Sequence, residues 1–269
     1  MRVFIISDME GVAGITRWEQ VSANEKGYEE GRRLYTEEIN AAVRGAHDGG
    51  ATEVVVMDCH GAGNGWSFNS LIPDLLDDRC EWVVQHDWTE YTGFLEEGCD
   101  AALFVAMHAM AGTADGVLSH TVSGTQWRNL RFNGKLVGET GINAALCGMW
   151  DCPVLLVSGD RATCNEATEL LGGGITTVCI KKGIGRFSAR HIPPRRARAM
   201  IEAGAKEALA DLGAVEPYRL ESPCEIEVEL ASSDLTDEYQ NRNGIELKDP
   251  RTIISRADDW WTAWKQIYL

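Results

Sequence analysis

Side chains that can bind metal ions follow three apolar segments of the chain, RVFIIS, EVVVMD and AALFVAM, at the point where each segment ends. They are Asp8 and Glu10 after the first segment, His60 after the second and His108 after the third. A further acid, Glu139, stands where helical sequence begins. Because the carboxyl ends of parallel strands meet at one edge of a sheet, we expect these side chains to converge. Imidazoles together with carboxylates favour zinc or another divalent cation.

The size of this set indicates how many ions it would hold. One catalytic zinc usually keeps three protein ligands and an open position, so the set is too large for a single ion. It suits two ions about 3.5–4 Å apart that share one carboxylate. Asp8, the shortest acid and the first along the chain, is the candidate for the shared ligand. Each residue alone could equally be a turn cap or a hydrogen-bonded core histidine, so the prediction depends on three consecutive strands ending in this way.

His120, in the sequence LSHT, is the remaining candidate for chemistry. A histidine without a metal could act as a general acid or base, or donate to an oxyanion. The alternative is an ordinary strand or surface histidine. Cys59 lies beside His60 in a glycine-rich turn, where a nucleophilic role is a minor interpretation. No two of the eight cysteines form a C-x-x-C pair, and we expect most of them to be buried free thiols. The glycine-rich turns match no nucleotide-binding motif.

The segments that must position these residues alternate between strand and helix. A helical apolar pattern joins the first two strands and ends at Gly49-Gly50. This strand–helix–strand unit predicts a doubly wound parallel sheet in a three-layer α/β fold. The predicted strands are residues 2–7, 53–58, 101–107 and 153–158, and the predicted helices are residues 25–48 and 139–150. Residues 117–122 and 127–137 alternate as in a hairpin that turns at Asn133-Gly134.

After Gly172-Gly173-Gly174 the pattern changes, and the predicted strands and helices make up a smaller α+β unit. We therefore expect an α/β metal-binding catalytic domain over residues 1–172 and a smaller α+β domain over 173–269, with a role in oligomerisation. Tryptophans at 260, 261 and 264 lie at helical spacing, and are expected to pack on the core or at a subunit interface, with ligand stacking as the alternative. In the second unit, strands are predicted at 175–181, 225–231 and 252–256, and helices at 194–212, 234–241 and the C-terminus.

The charge balance excludes several classes of function. The 269 residues carry 25 Lys and Arg against 41 Asp and Glu, a net charge of −16 with neutral histidines. Such an acidic surface repels phosphate backbones and anionic lipid, so we expect no nucleic-acid partner and no membrane partner. No apolar run approaches the roughly 18 residues needed to span a bilayer. The first residues lack the pattern of a signal peptide, which favours a cytoplasmic location.

In five of these motifs the chain resembles the DppA-type zinc D-aminopeptidases, a family formerly regarded as dipeptide-transport proteins. The motifs are SDMEG from Ser7, DCHG from Asp58, HAMAG from His108, LSHT from Leu118 and VGETGIN from Val137. Their order and spread over nearly the whole chain make the resemblance specific. It implies an enzyme that removes an N-terminal D-residue, of the D-Ala type, from short peptides. It also implies a homo-oligomeric ring, with a decamer as the known form.

The resemblance further implies a site with two zinc ions per chain. Asp8 would bridge them, Glu10 and His60 would bind one ion, and His108 and Glu139 the other. His120 resembles the family's active-site histidine outside the metal ligands. Cys59 stands where serine or alanine is more usual in the family.

Two alternatives stay open at this point. The nearer one is a zinc aminopeptidase or amidase that acts on L-residues or other amides, because the motifs concern metal ligands more than the substrate pocket. The more distant one is a non-enzymatic dipeptide-binding component of a transporter. The N-terminal sequence and the ligand-rich sheet edge argue against the second alternative.

Overall fold

The computed structural model describes residues 1–268. Its strands are β1 (Arg2–Ser7), β2 (Glu53–Asp58), β3 (Glu81–Val83), β4 (Ala101–Met107), β5 (Trp127–Phe132), β6 (Lys135–Val137), β7 (Val154–Asp160), β8 (Thr176–Gly185), β9 (Ser188–His191), β10 (Cys224–Leu230), β11 (Ile245–Asp249) and β12 (Thr252–Ala257). Its α-helices are α1 (Tyr28–Asp48), α2 (Gly93–Glu96), α3 (Glu139–Met149), α4 (Arg161–Leu171), α5 (Pro194–Ala208) and α6 (Trp260–Tyr268).

A seven-stranded sheet in the order β3-β2-β1-β4-β7-β8-β9 forms the centre of the molecule. All neighbouring strands are parallel except β9, which runs antiparallel to β8. The apolar runs of β4 and β7 are buried along their whole length, as expected for strands covered on both faces. In register, Ser7 at the end of β1 lies beside Asp58 on one side and Val105 on the other. The residues that follow β1, β2 and β4 therefore leave the sheet at one edge.

Helices complete a three-layer α/β arrangement and confirm the predicted fold class. Helices α1 and α5 pack against each other and onto the sheet, and α3 and α4 form a second pair that packs on β4, β7 and β8. Helix α1 begins at Tyr28, three residues later than predicted, and ends at Asp48 before the glycine pair. Helix α5 ends at Ala208 rather than residue 212.

A second, antiparallel sheet has the order β11-β12-β10-β5-β6. The predicted hairpin turn at Asn133-Gly134 joins β5 to β6, and both residues have positive φ, +46° and +81°, as a tight two-residue turn requires. The strand predicted over residues 117–122 is wrong. Leu118 and Val122 adopt φ of +51° and +60°, so this segment is an irregular loop in spite of its alternating sequence.

The strands of the two sheets interleave along the chain. The parallel sheet continues past residue 172 into β8 and β9, and the antiparallel sheet pairs β5, from before residue 172, with β10, from after it. The boundary expected at residue 172 therefore does not separate the two sheets. No new sheet begins at residue 172, because β8 continues the parallel sheet.

The aromatic cluster near the C-terminus belongs to the core, which confirms the packing interpretation. Helix α6 lies on β10, β12 and α3, and buries Trp260 and Trp264. The Trp264 ring is stacked against Trp260 at 5.6 Å and Tyr268 at 5.3 Å between centroids, and meets Trp88 edge-on at 6.3 Å. No helix within residues 1–268 combines the length and apolarity needed to cross a bilayer.

Replacing Trp264 tests the contribution of this cluster. Trp264→Ala removes a fully buried indole, so we expect the free energy of unfolding in urea to fall by about 3–5 kcal/mol. Trp82→Ala is the matched control because that indole is 43% exposed, and it should cost less than about 1 kcal/mol. Equal losses in the two variants would contradict the assignment of Trp264 to the core.

Candidate metal centre

The loop after β1 approaches the end of β4 closely. The register of β4 shifts between Phe104 and Met107, and Ala106 has φ of +62°, so the strand bulges just before His108. Gly11 donates its N–H to the Ala106 carbonyl at 2.8 Å. A Cβ on Gly11 would lie 2.2 Å from the carbonyl carbon of Ala106, so only glycine allows this approach.

This approach brings the predicted ligands into one buried cluster at the sheet edge. Oδ1 of Asp8 lies 3.2 Å from Nδ1 of His60, and Oδ2 lies 3.2 Å from Nε2 of His108. Glu10 places Oε2 3.1 Å from the same nitrogen of His60. Glu139 places Oε2 3.4 Å from the same nitrogen of His108. Asp8 therefore lies between two carboxylate–imidazole pairs.

Backbone carbonyls fix the tautomer of each imidazole. Nε2 of His60 donates to Val21 O at 2.6 Å, and Nδ1 of His108 donates to Ala109 O at 3.0 Å. Since a carbonyl can only accept, the hydrogen lies on that nitrogen and the other ring nitrogen faces the carboxylates. An imidazole held from behind in this way is the usual arrangement of a metal-binding histidine.

The cluster has the properties of a cation site. Oε2 of Glu10 and Nε2 of His108 are buried and have no hydrogen-bond partner among the described residues. Burial lowers the pKa of His60, but the Glu10 and Asp8 carboxylates outweigh it and hold that pKa well above its usual value. Three buried carboxylates are stable only if positive charge lies between them, and protons or divalent cations can supply that charge. The ligand types suit zinc.

His120 lies next to this cluster. Its ring is stacked on that of His108, with centroids 4.0 Å apart and planes within 12°. Nδ1 of His120 donates to Leu118 O at 2.9 Å, so Nε2 is the free nitrogen, 3.8 Å from Oε1 of Glu139. Burial and then the charge of His108 lower the pKa of His120 below its usual value.

A cavity of about 590 Å³ opens onto the cluster. Its wall includes Asp8, Glu10, His60, His120 and Glu139, together with the aromatic residues Phe68, Trp88 and Tyr268. Cys59 also contributes to the wall, but burial and then the charge of Asp58 raise the pKa of its thiol well above the usual range. A thiol held neutral in this way is a poor nucleophile.

Several supporting residues were not predicted from the sequence. Tyr35 of α1 donates to Oδ1 of Asp58 at 3.0 Å, and that carboxylate accepts the backbone N–H of His60 at 2.9 Å. Lys181 of β8 is buried and donates to the carbonyls of Glu10, Val12 and Ile15 at 2.5–2.9 Å. Burial lowers the pKa of Lys181 to about 8, so at neutral pH it remains an ammonium with three N–H donors.

Known proteins share the sequence pattern and the fold of this chain. A family model described as D-aminopeptidase, Peptidase_M55, matches residues 1–269. The chain belongs to this D-aminopeptidase family. A curated D-aminopeptidase from Bacillus subtilis (strain 168) is 30% identical over 275 residues, which cover all of this chain and 96% of the relative.

A solved structure shares the fold of this D-aminopeptidase family member. It is the Zn-dependent D-aminopeptidase DppA from Bacillus subtilis, a self-compartmentalizing protease, with 28% identity and a TM-score of 0.90. The similarity covers 99% of this chain and 95% of that one. The protein is therefore a peptide hydrolase, and the family resemblance stated from the motifs is confirmed.

Lys181 offers a test of how the loop after β1 is held. Lys181→Met removes the donors of three buried carbonyls, so we expect the free energy of unfolding to fall by at least about 2 kcal/mol. Backbone amides of residues 9–15 should also exchange hydrogen faster. The neighbouring exposed lysine gives the control, and Lys182→Met should change neither measurement. Equal behaviour of the two variants would show that Lys181 does not hold the loop.

Proposed function

We propose that the protein is an aminopeptidase with two zinc ions per chain. Asp8 would be the ligand shared by the two ions, Glu10 and His60 would hold one of them, and His108 and Glu139 would hold the other. The observation that carries this proposal is the position of Asp8, whose two oxygens each lie 3.2 Å from a different imidazole. One carboxylate between two ligand pairs is the arrangement that a two-metal hydrolase requires. Zinc is supported by the Zn-dependence of the DppA relative.

When bound, zinc supplies a water molecule of lowered pKa and a Lewis acid for the scissile carbonyl. The residues of the chain keep the ligands in place for this chemistry. The Val21 and Ala109 carbonyls orient the two imidazoles, and the Val122 N–H donates to Oε1 of Glu139 at 2.7 Å. Oε2 of Glu139 is left to face His108.

His120 is the proposed general acid and base. Its Nδ1–H is engaged by Leu118 O, so Nε2 can accept a proton from the nucleophile and donate it to the leaving amine. The ring cannot rotate freely, because it is stacked on His108 on one face and meets the edge of Trp18 at 5.3 Å. This orientation aims Nε2 at the metal cluster rather than at solvent.

The proposed substrate is a short peptide with an N-terminal D-residue, of the D-Ala type. The family and the Bacillus subtilis relatives support the D configuration. The cavity at the cluster supports a free N-terminus, because its wall carries Asp87, an acid outside the proposed metal ligands, and neither lysine nor arginine. An α-ammonium group is attracted to such a wall. We also propose a homo-oligomeric ring, a decamer by family resemblance, since the DppA relative is self-compartmentalizing.

Metal content and activity test this proposal together. Protein purified without chelator should contain about two zinc ions per chain and cleave D-Ala p-nitroanilide faster than its L-Ala counterpart. Asp8→Asn weakens the ligand common to both ions, so it should lose zinc from both positions and at least about a hundredfold in kcat. Zinc is measured by elemental mass spectrometry and kcat by release of nitroaniline.

Asp87→Asn is the matched control, since Asp87 lines the same cavity outside the ligand set and its variant should keep its zinc. An Asp8→Asn variant with two zinc ions and full activity would overturn the assignment. Faster cleavage of the L-Ala substrate would instead favour an L-aminopeptidase with the same metal centre.

Replacing His120 separates proton transfer from metal binding. His120→Gln should keep the zinc content of the unmodified protein and lose at least about a hundredfold in kcat, the usual contribution of a general acid or base. Full activity with unchanged metal content would leave His120 with only a structural role. Loss of zinc would show that His120 is itself a ligand.

A further inference from the structure

A second cavity, of about 490 Å³, shares His120 with the cavity at the metal cluster. Residues of the loop 111–119, of β5 and of the β8–β9 connection form its wall, and His120 lines both cavities. The proposed mechanism uses only the cavity at the metal cluster. The residues that matter for the second one are Ser119, His120, Trp127, Arg128 and Arg186.

The two cavities differ in the sign of their charge. The wall of the second cavity contains Arg128 and Arg186 but no aspartate or glutamate. The wall of the first contains four acids but no lysine or arginine. Among the described residues, neither arginine forms an ion pair with a carboxylate, although other arginines of this acidic chain do. Arg131, three positions along β5 from Arg128, pairs with Glu227 at 3.4 Å. The second cavity therefore carries two positive charges that no carboxylate among the described residues neutralises.

Arg186 is held in place by contacts that leave part of its guanidinium free. Nε donates to Ser119 O at 3.1 Å, and the guanidinium carbon lies 5.5 Å from the centre of the Trp18 ring. Trp18 in turn packs edge-on against His120. Within the part of the chain that the structure describes, Nη1 and Nη2 make no hydrogen bond to protein. A guanidinium held by Nε and a stacked ring offers its two terminal nitrogens as a preorganised fork for a carboxylate.

We propose that the second cavity binds the C-terminal carboxylate of the peptide substrate, with Arg186 as the principal partner and Arg128 as the second. The inference rests on the proposed function. The C-terminal carboxylate of a short peptide is attracted by the two arginines of the second cavity, while its N-terminal residue lies in the cavity at the metal cluster. The scissile bond then lies beside His120, which both cavities share. The substrate class is short peptides with a free C-terminus, in preference to their amides.

The test compares three substrates with the same N-terminal residue: D-Ala-D-Ala, its C-terminal amide, and D-Ala p-nitroanilide. The unmodified protein should have a KM for the dipeptide about 10- to 100-fold below that for the amide, as expected for a charge-assisted hydrogen-bonded pair. Arg186→Gln should raise KM for the dipeptide about 10- to 100-fold relative to KM for the anilide, and abolish the preference over the amide. Arg186→Lys should restore part of that preference, because it keeps the charge without the fork.

Arg128→Gln provides a second variant in an exposed position, where failure to fold is not expected, and should raise KM for the dipeptide alone by about 3- to 10-fold. Arg190→Gln is the control, because it makes the same change of charge on an exposed strand residue outside both cavities. It should leave all three substrates unchanged.

The outcomes separate this inference from the function on which it rests. A protein inactive on all three substrates would overturn the proposed function. Activity on all three with equal KM for dipeptide and amide would overturn only the carboxylate site. That site would also be overturned if Arg186→Gln raised KM for dipeptide and anilide by the same factor, because that pattern indicates a disturbed Trp18–His120 contact instead.

Discussion

The Asp8 carboxylate is buried at the end of β1 with one oxygen toward His60 and the other toward His108. An uncompensated carboxylate in such a place would cost several kcal/mol, and Glu10 and Glu139 add two more acids within the same cluster. Contacts from the surrounding structure lower the free-energy cost of burying these three negative charges together. Histidine rings are aimed at it by backbone carbonyls, and the Lys181 ammonium holds the carbonyl groups of the adjoining loop. Under the proposed function, a cation between the carboxylates would complete the compensation.

The convergence of these ligands could be predicted because it follows from a general property of parallel sheets. Strands β1, β2 and β4 are neighbours in register, so the residues after them had to meet once the strands were recognised. Their apolar sequences are long and uninterrupted, which made the strands easy to recognise. The parallel arrangement itself followed from the helix between β1 and β2. Asp8, Glu10, His60 and His108 could therefore be placed at one edge from the sequence alone.

Other features could not be predicted, because they depend on backbone conformation and strand register, which the spacing of apolar residues does not indicate. Residues 117–122 alternate like a strand, but positive φ at Leu118 and Val122 bends them into the loop that carries His120. Lys181 could not be predicted as buried, because the register shift where β8 meets Asp160 places Ile180 and Lys181 both inside. The positive cavity combines residues from β5 and from the β8–β9 connection, which are far apart in sequence. No local sequence pattern indicates that β5 and the β8–β9 connection are neighbours. The interleaving of the two sheets could not be predicted for the same reason.

The interleaving of the sheets also governs the order in which the molecule can assemble. All five proposed metal ligands lie within the first 139 residues, so they are synthesised before β8, which contains Lys181. Strand β5 can pair with β6 at once, but its other partner, β10, lies almost a hundred residues downstream. Contacts this distant in sequence make folding slow, since the intervening chain must be ordered before they form. All five proposed metal ligands of a nascent chain are therefore synthesised before Lys181 is available to hold the loop after β1.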